Sequence, residues 1–236
     1  MGQLTVVRHG QASFLQPDYD KLSSLGELQA KMLGKYWLER GIRVHHVYYG
    51  PARRQEHTGE IVRGVYQESG VDWPEPVKVP EFDEYPGIEV MRAFLPSLVG
   101  KHEDIRLLDQ EFRTAGEHRV AARAFEKMFQ RVTRMWAAGE LKSPGVETWQ
   151  AFCGRVEAGV NRVREAGGDS VIFSSGGVMA ATVRLALDLS PARTLELSWT
   201  PRNASYSEFL FSGARFSLVT FNAFPHLNSA ELLTLR

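Results

Sequence analysis

Cysteine is nearly absent from this sequence. Cys153 stands alone among 236 residues, so an internal disulfide framework is excluded and a reducing compartment fits best. It falls in the apolar-periodic stretch "WQAFCGRVEAGV", which predicts a buried structural thiol rather than a nucleophile. An excess of either charge is also missing. The 28 basic residues balance 28 acidic ones, which argues against a general nucleic-acid binder while leaving room for a local basic pocket. No run approaches the roughly eighteen apolar residues that a membrane helix needs, so no membrane partner is expected. The first residues, "MGQLTVVRHG", lack the apolar core and small-residue cleavage site of a signal peptide, and a cytoplasmic protein is expected. Neither an internal repeat nor a low-complexity tract is present. No Asp/His cluster has metal-ligand spacing, and there is no Walker loop or Rossmann glycine fingerprint. We therefore expect neither a metal nor a nucleotide cofactor. The sequence leaves the oligomeric state open, a homodimer included.

What the chain does contain is an ordinary globular balance, 43% hydrophobic and 24% charged, enough to bury a sizeable core. Its length suits one large α/β domain, or a domain carrying an insertion. "LTVV" (Leu4 to Val7) reads as a short buried strand. Ser24 and Glu27 have capping-box spacing, and Leu25, Leu28, Met32 and Tyr36 recur at helical period until Gly41. "VHHVYY" (Val44 to Tyr49) reads as a second strand ended by Gly50-Pro51. A helix follows through Ile61, Val62, Val65 and Tyr66, and "VKVP" reads as a third strand. Alternating strands and helices predict a mostly parallel twisted sheet with helices on both faces.

From Ile88 to about Gly145 the rhythm changes. Val120, Ala124, Met128 and Val132 mark a long amphipathic helix, and no convincing strand appears. We therefore expect a single domain over residues 1–236 with a helical cap insertion at 88–145. A helix then runs through Phe152, Val156, Val160 and Val163. It is followed by the strand "SVIF", the turn "SSGG" and the apolar helix "VMAATVRLAL". "SYSEFLF" and "RFSLVTF" alternate with period two around Ser212-Gly213, a hairpin signature.

The chemistry-bearing residues cluster at strand ends, where doubly wound sheets bind ligands. Arg8 and His9 follow the first strand, and Gly10 lets backbone approach a ligand closely. A guanidinium grips two phosphate oxygens at once, and a neutral imidazole can attack phosphorus to form a phosphohistidine. "YYGPARRQEHTGEIV" places Arg53 and Arg54 just beyond the second strand. "VPEFDEYPG" places Glu81, Asp83 and Glu84 beyond the third. "VIFSSGGV" places hydroxyls and glycines at a helix N-terminus, where free N–H groups and the helix dipole favour an anion.

These motifs, in this order, resemble the histidine phosphatase superfamily, also called phosphoglycerate-mutase-like proteins. "VVRHGQ" resembles its signature of arginine, nucleophilic histidine and glycine. "GPARRQEHTG" resembles its serine-proline-leucine-x-arginine-alanine-x-x-threonine-alanine segment. That match puts Arg54, not Arg53, on the phosphate-binding arginine and Thr58 on the threonine. "PEFDEY" resembles the segment carrying the general acid, with Glu81 as the best match and Asp83 and Glu84 as competitors. The resemblance implies a phosphoglycerate-mutase-like fold, His9 as nucleophile, and Arg8, Arg54, Ser175 and Gly176 around the phosphoryl group. One departure stands out: the family's serine-histidine-glycine-glycine turn here reads Ser174-Ser175-Gly176-Gly177. Ser175 stands where a second histidine is expected, and its hydroxyl can donate to phosphate but is neutral.

The other histidines have plainer readings. His45 and His46 read as structural, His102 and His118 as surface, and His57 as a near neighbour of Arg54. His226, in "FNAFPHLN", is a candidate for an imidazole returned to the site from the far end of the chain. The expected activity is a cofactor-independent phosphomonoesterase acting on a small phosphorylated substrate through a phosphohistidine on His9. A phosphomutase of the same family and a non-catalytic phosphate-binding module are the alternatives.

Overall fold

The computed structural model describes residues 1–12 and 20–235. A six-stranded sheet is built from β1 (Gly2–Arg8), β2 (His46–Tyr49), β3 (Val77–Lys78), β4 (Ser170–Ser174), β5 (Tyr206–Ser212) and β6 (Arg215–Ala223). The spatial order is β3-β2-β4-β1-β5-β6. The first four strands in that order pair in parallel, and the hairpin β5–β6 adds two antiparallel strands at one edge. The sheet is thus mostly parallel, and the fold is the phosphoglycerate-mutase-like α/β arrangement. β4, "SVIFS", is buried at every position, as expected for a parallel strand covered on both faces.

Eight helices accompany the sheet among the described residues: α1 (Ser24–Glu39), α2 (Arg53–Glu68), α3 (Gly87–Val99), α4 (Glu103–Thr114), α5 (His118–Ala137), α6 (Trp149–Ala166), α7 (Gly176–Leu187) and α8 (Pro191–Ser198). The chain forms two compact units, one of residues 1–84 and 154–236, the other Tyr85–Cys153. In the first unit Val7, Val47, Tyr49, Val171 and Phe173 of the sheet pack with Leu33 and Trp37 of α1 and Val62 and Tyr66 of α2. Each fully buried aliphatic chain there contributes roughly 1.5–3 kcal/mol. α7 contacts β1 and β6. The second unit is helical. Its α5 buries Ala124, Met128, Val132, Met135 and Trp136, and Trp136 meets Trp149 edge-on with ring centroids 5.4 Å apart.

Several boundaries differ from the sequence expectation. The cap of α1 is Ser23, whose side chain accepts from Gly26 N–H, one residue before the expected Ser24. The buried face of α1 carries Gly26, Gln29, Ala30, Leu33, Gly34 and Trp37, while Leu28 is 47% exposed. The leucine stripe is displaced because α1 approaches α2 along Gly34, where a Cβ would stand 3.1 Å from Val65. α7 begins at Gly176 rather than Val178, so both turn glycines belong to its first turn. β2 begins at His46, and β3 has only two residues.

What positions the site is the register of β1 against β4. Arg8 pairs with Ser174, so both strands end together and the residues that follow them emerge side by side.

Candidate active site

His9 leaves the end of β1 with its backbone already anchored. Its N–H donates to Ser174 O at 2.8 Å, and its carbonyl accepts from Ala204 N–H at 3.1 Å and Asn203 Nδ2 at 3.3 Å. The ring is 5% exposed. Nδ1 lies 2.7 Å from Gly10 O, and because a carbonyl only accepts, Nδ1 carries the proton. The lone pair is therefore on Nε2, which receives a hydrogen bond from Arg54 Nε at 3.2 Å. Burial first, then the charges of Arg54 and Arg8, hold His9 well below the usual histidine pKa. The imidazole is neutral at physiological pH, with its lone pair at Nε2.

Gly10 is required by its neighbours. A Cβ there would stand 2.3 Å from Gly26 O at the start of α1. Its N–H donates to Thr58 Oγ1 at 3.1 Å, and that hydroxyl donates to Arg54 O at 2.7 Å. Thr58 thus ties the loop after β1 to the first turn of α2. Arg54 points its guanidinium at His9, whereas Arg53 is an exposed residue. Arg8 donates through Nη1 to Pro201 O and through Nη2 to Leu235 O. Its Nε lies close to Gly176, within 3.9 Å of where a Cβ on that glycine would be.

Ser175 caps α7 and is 1% exposed. Its Oγ accepts from Gln55 Nε2 at 2.7 Å. Gly177 N–H, in the first turn of α7, donates to Glu84 Oε2 at 3.1 Å. The loop that carries Glu84 is held by Arg155 of α6, which donates to the carbonyls of Glu81, Asp83 and Glu84. Ser174 Oγ–H adds a bond to Phe82 O at 2.6 Å.

Of the three candidate carboxylates, the structure brings Glu84 to the glycine turn and takes Glu81 elsewhere. Glu81 pairs with Arg162 of α6 at 2.6 Å and lines a cavity of about 280 Å³ with Tyr48, Lys78 and Arg162. Among the described residues, none hydrogen-bonded to His9 lines that cavity. Its own backbone N–H, then Arg162, keep the Glu81 carboxyl below its ordinary pKa. A carboxyl held ionised in this way is poorly suited to giving up a proton. The Glu81 carboxyl is thus engaged by Arg162.

His226 is also taken elsewhere. It is 5% exposed and lies between the rings of Tyr36 and Tyr206, at centroid distances of 6.0 and 6.3 Å. Burial pushes its pKa down to about 4, against about 6.5 in an unfolded chain. Between those values the unfolded chain binds a proton that the folded one does not. Stability therefore falls as pH drops through 6.5 and goes on falling until about 4, with the sign set by proton linkage. His226→Phe, which keeps a ring between the tyrosines, is expected to lose less thermal midpoint than the parent between about pH 7 and 5. An equal loss in both proteins would assign the acid sensitivity to other groups. His45, His57 and His118 are exposed, and Cys153 is buried.

Three positions in this neighbourhood escaped the sequence reading. Asp20 accepts from Arg53 N–H at 2.9 Å and from Arg54 Nη1 at 2.7 Å, placing a carboxylate on the N-terminus of α2. Nothing local in "PDYDKLSS" signals that long-range pairing. Arg155, holding the carboxylate loop, sits on a helix whose period reads only as core. Gln55 did leave a signal: it stands beside Arg54 where the family segment has alanine. Among the described residues no three of His, Cys, Asp or Glu cluster so as to hold a metal ion. No helix there is long and apolar enough to cross a membrane.

The sequence profile described as the histidine phosphatase superfamily (branch 1) matches residues 102–223, just over half of the chain. No curated protein matches the sequence. Among solved structures, Bacillus stearothermophilus YhfR superposes with TM-score 0.63 at 18% identity, covering 96% of this chain and 99% of that one. Phosphoserine phosphatase from Entamoeba histolytica, in complex with 3-phosphoglyceric acid, gives 0.61 at 16% identity over 96% and 100%. Phosphoglycerate mutase from Bacillus anthracis str. Sterne gives 0.61 at 15% identity over 95% and 94%. At these identities the likeness establishes a shared fold.

Proposed function

The chain belongs to the histidine phosphatase superfamily, and from that premise we propose that it is a phosphomonoesterase that works through a phosphohistidine on His9. The observation that carries the reading is the state of His9: a buried imidazole, neutral, with its Nδ1 proton on Gly10 O and its Nε2 lone pair turned to Arg54. A histidine that merely caps a strand has no need of two arginines nearby.

In this reading Nε2 attacks phosphorus and the P–O bond of the ester breaks. Arg54 and Arg8 meet the charge spread over the phosphoryl oxygens. Ser175 Oγ and the N–H of Gly176 add donors at the head of α7. Glu84 gives a proton to the departing oxygen, then takes one from the water that cleaves the P–N bond and releases phosphate.

Every group in this scheme is a side chain or backbone donor of the chain itself. Hydrolysis of an activated aryl phosphate is accordingly expected to proceed without added metal and to survive excess chelator. A strict dependence on a divalent ion would overturn the mechanism. Phosphoryl transfer to water rather than back to the organic product separates this reading from a mutase, and release of inorganic phosphate measures it.

A further inference from the structure

Three residues at the edge of this site fit one another in a way that reaches past their separate roles. Gln55 is fully buried in the first turn of α2. Its amide oxygen accepts from Ala52 N–H at 3.1 Å, which determines the orientation of the amide and leaves the NH₂ facing Ser175, 2.7 Å from Oγ. Gly50 makes room for it: a Cβ at position 50 would stand 2.1 Å from Gln55 Oε1. Where the family segments carry serine, alanine and histidine, this chain has Gly50, Gln55 and Ser175. The three departures occupy one volume.

The direction of the hydrogen bond matters most. Ser175 Oγ is already an acceptor for the Gln55 amide, so its own proton must be donated elsewhere. Among the described residues no oxygen accepts it, nor does one accept the second Nε2 proton of Gln55. Two buried, neutral donor protons without protein acceptors therefore sit at the head of α7, one residue from Gly176. Spare donor protons of this kind are costly to leave unmet, which is explained if a ligand oxygen completes them.

We infer that Gln55 and Ser175 form one neutral hydrogen-bonding unit of the phosphoryl pocket, in which Gln55 holds the serine hydroxyl so that its proton is presented to phosphoryl oxygen. Gln55 is then a positioning residue and Ser175 the group that touches the ligand. The unit replaces a side chain that titrates near neutrality with one that does not. It also leaves charge neutralisation to Arg8 and Arg54, because a neutral donor contributes about half as much as a charge-assisted one. The inference rests on the phosphatase reading for the location of the phosphoryl group but not for the chemistry.

The test is the affinity of the intact protein for inorganic phosphate, measured by calorimetry, with the thermal midpoint recorded for each variant. Ser175→Ala and Gln55→Ala are each expected to weaken phosphate binding on the order of 5- to 10-fold, the usual worth of one neutral hydrogen bond. The double variant should be no weaker than the worse single, because each change disables the same unit. If Gln55→Ala fails to fold around its cavity, Gln55→Met keeps the volume and removes only the amide. Phosphate affinity within twofold of the parent in a folded Gln55 variant would reduce Gln55 to a packing residue and overturn the inference. So would losses that multiply in the double variant, since the two residues would then act independently. Absence of an acid-labile phosphoenzyme in the parent, with the phosphate pattern intact, would remove the catalytic reading and leave the unit standing.

Discussion

His9→Ala is expected to eliminate the acid-labile phosphoenzyme and essentially all turnover. The effect should be complete rather than graded, because alanine offers no atom to form the covalent intermediate. Nothing in the site can substitute. His226, the one other deeply buried imidazole among the described residues, is packed against Tyr36 and Tyr206, and Ser175 Oγ is bonded to the Gln55 amide, which is not a base. The measurement is a brief incubation with labelled substrate, quenched in base and in acid, beside steady-state release of phosphate. Label stable to base and lost in acid should appear in the parent only. Parental turnover in a clean His9→Ala preparation would show that His9 is not the nucleophile. Wild-type protein should also keep its nucleophile active well below pH 6.5, because burial and the two arginines depress the His9 pKa. The acidic limb of the rate profile should fall correspondingly low.

The second large effect is expected at Glu84. Glu84→Gln should slow an alkyl phosphate on the order of 10²- to 10⁴-fold, the range typical of a lost general acid. A nitrophenyl phosphate should suffer far less in its first step, since nitrophenolate departs without a proton. Glu81→Gln should leave both esters within a few-fold of the parent, because its carboxyl is committed to Arg162. Equal sensitivity of both esters at position 84, or a large loss at position 81, would return the acid to Glu81 or Asp83. The contrast works because the two glutamates lie three residues apart and are held by different helices, Glu84 by the head of α7 and Glu81 by α6.

Much of this architecture could be read in the chain. Strand–helix alternation, the hairpin about Ser212-Gly213 and the buried run "SVIF" all follow from periodicity, which reports the face of an element locally. The placement of Arg8 and His9 at a strand end was legible for the same reason, as was the glycine turn at the head of a helix. Motif spacing separated Arg54 from Arg53, and in the structure the Arg54 side chain meets His9. Where periodicity misled, small residues were the cause: Gly26 and Gly34 lie on the buried face of α1, and Leu28 is turned to solvent. A hydropathy pattern gives a glycine little weight, yet close helix packing depends on it.

By itself the sequence determined a mostly parallel α/β fold and a strand end that carries Arg8 and His9. These are properties of elements and of motifs a few residues long. The tertiary structure decided which carboxylate reaches the glycine turn, since that depends on Arg155 and Arg162, more than seventy residues from Glu81 and Glu84. It likewise decided that His226 packs between tyrosines, that Asp20 meets the first turn of α2, and that Gln55 fills the volume beside Ser175. Each of these rests on a hydrogen bond, an ion pair or a cavity shared by residues distant along the chain, and such pairings have no period for a sequence to display.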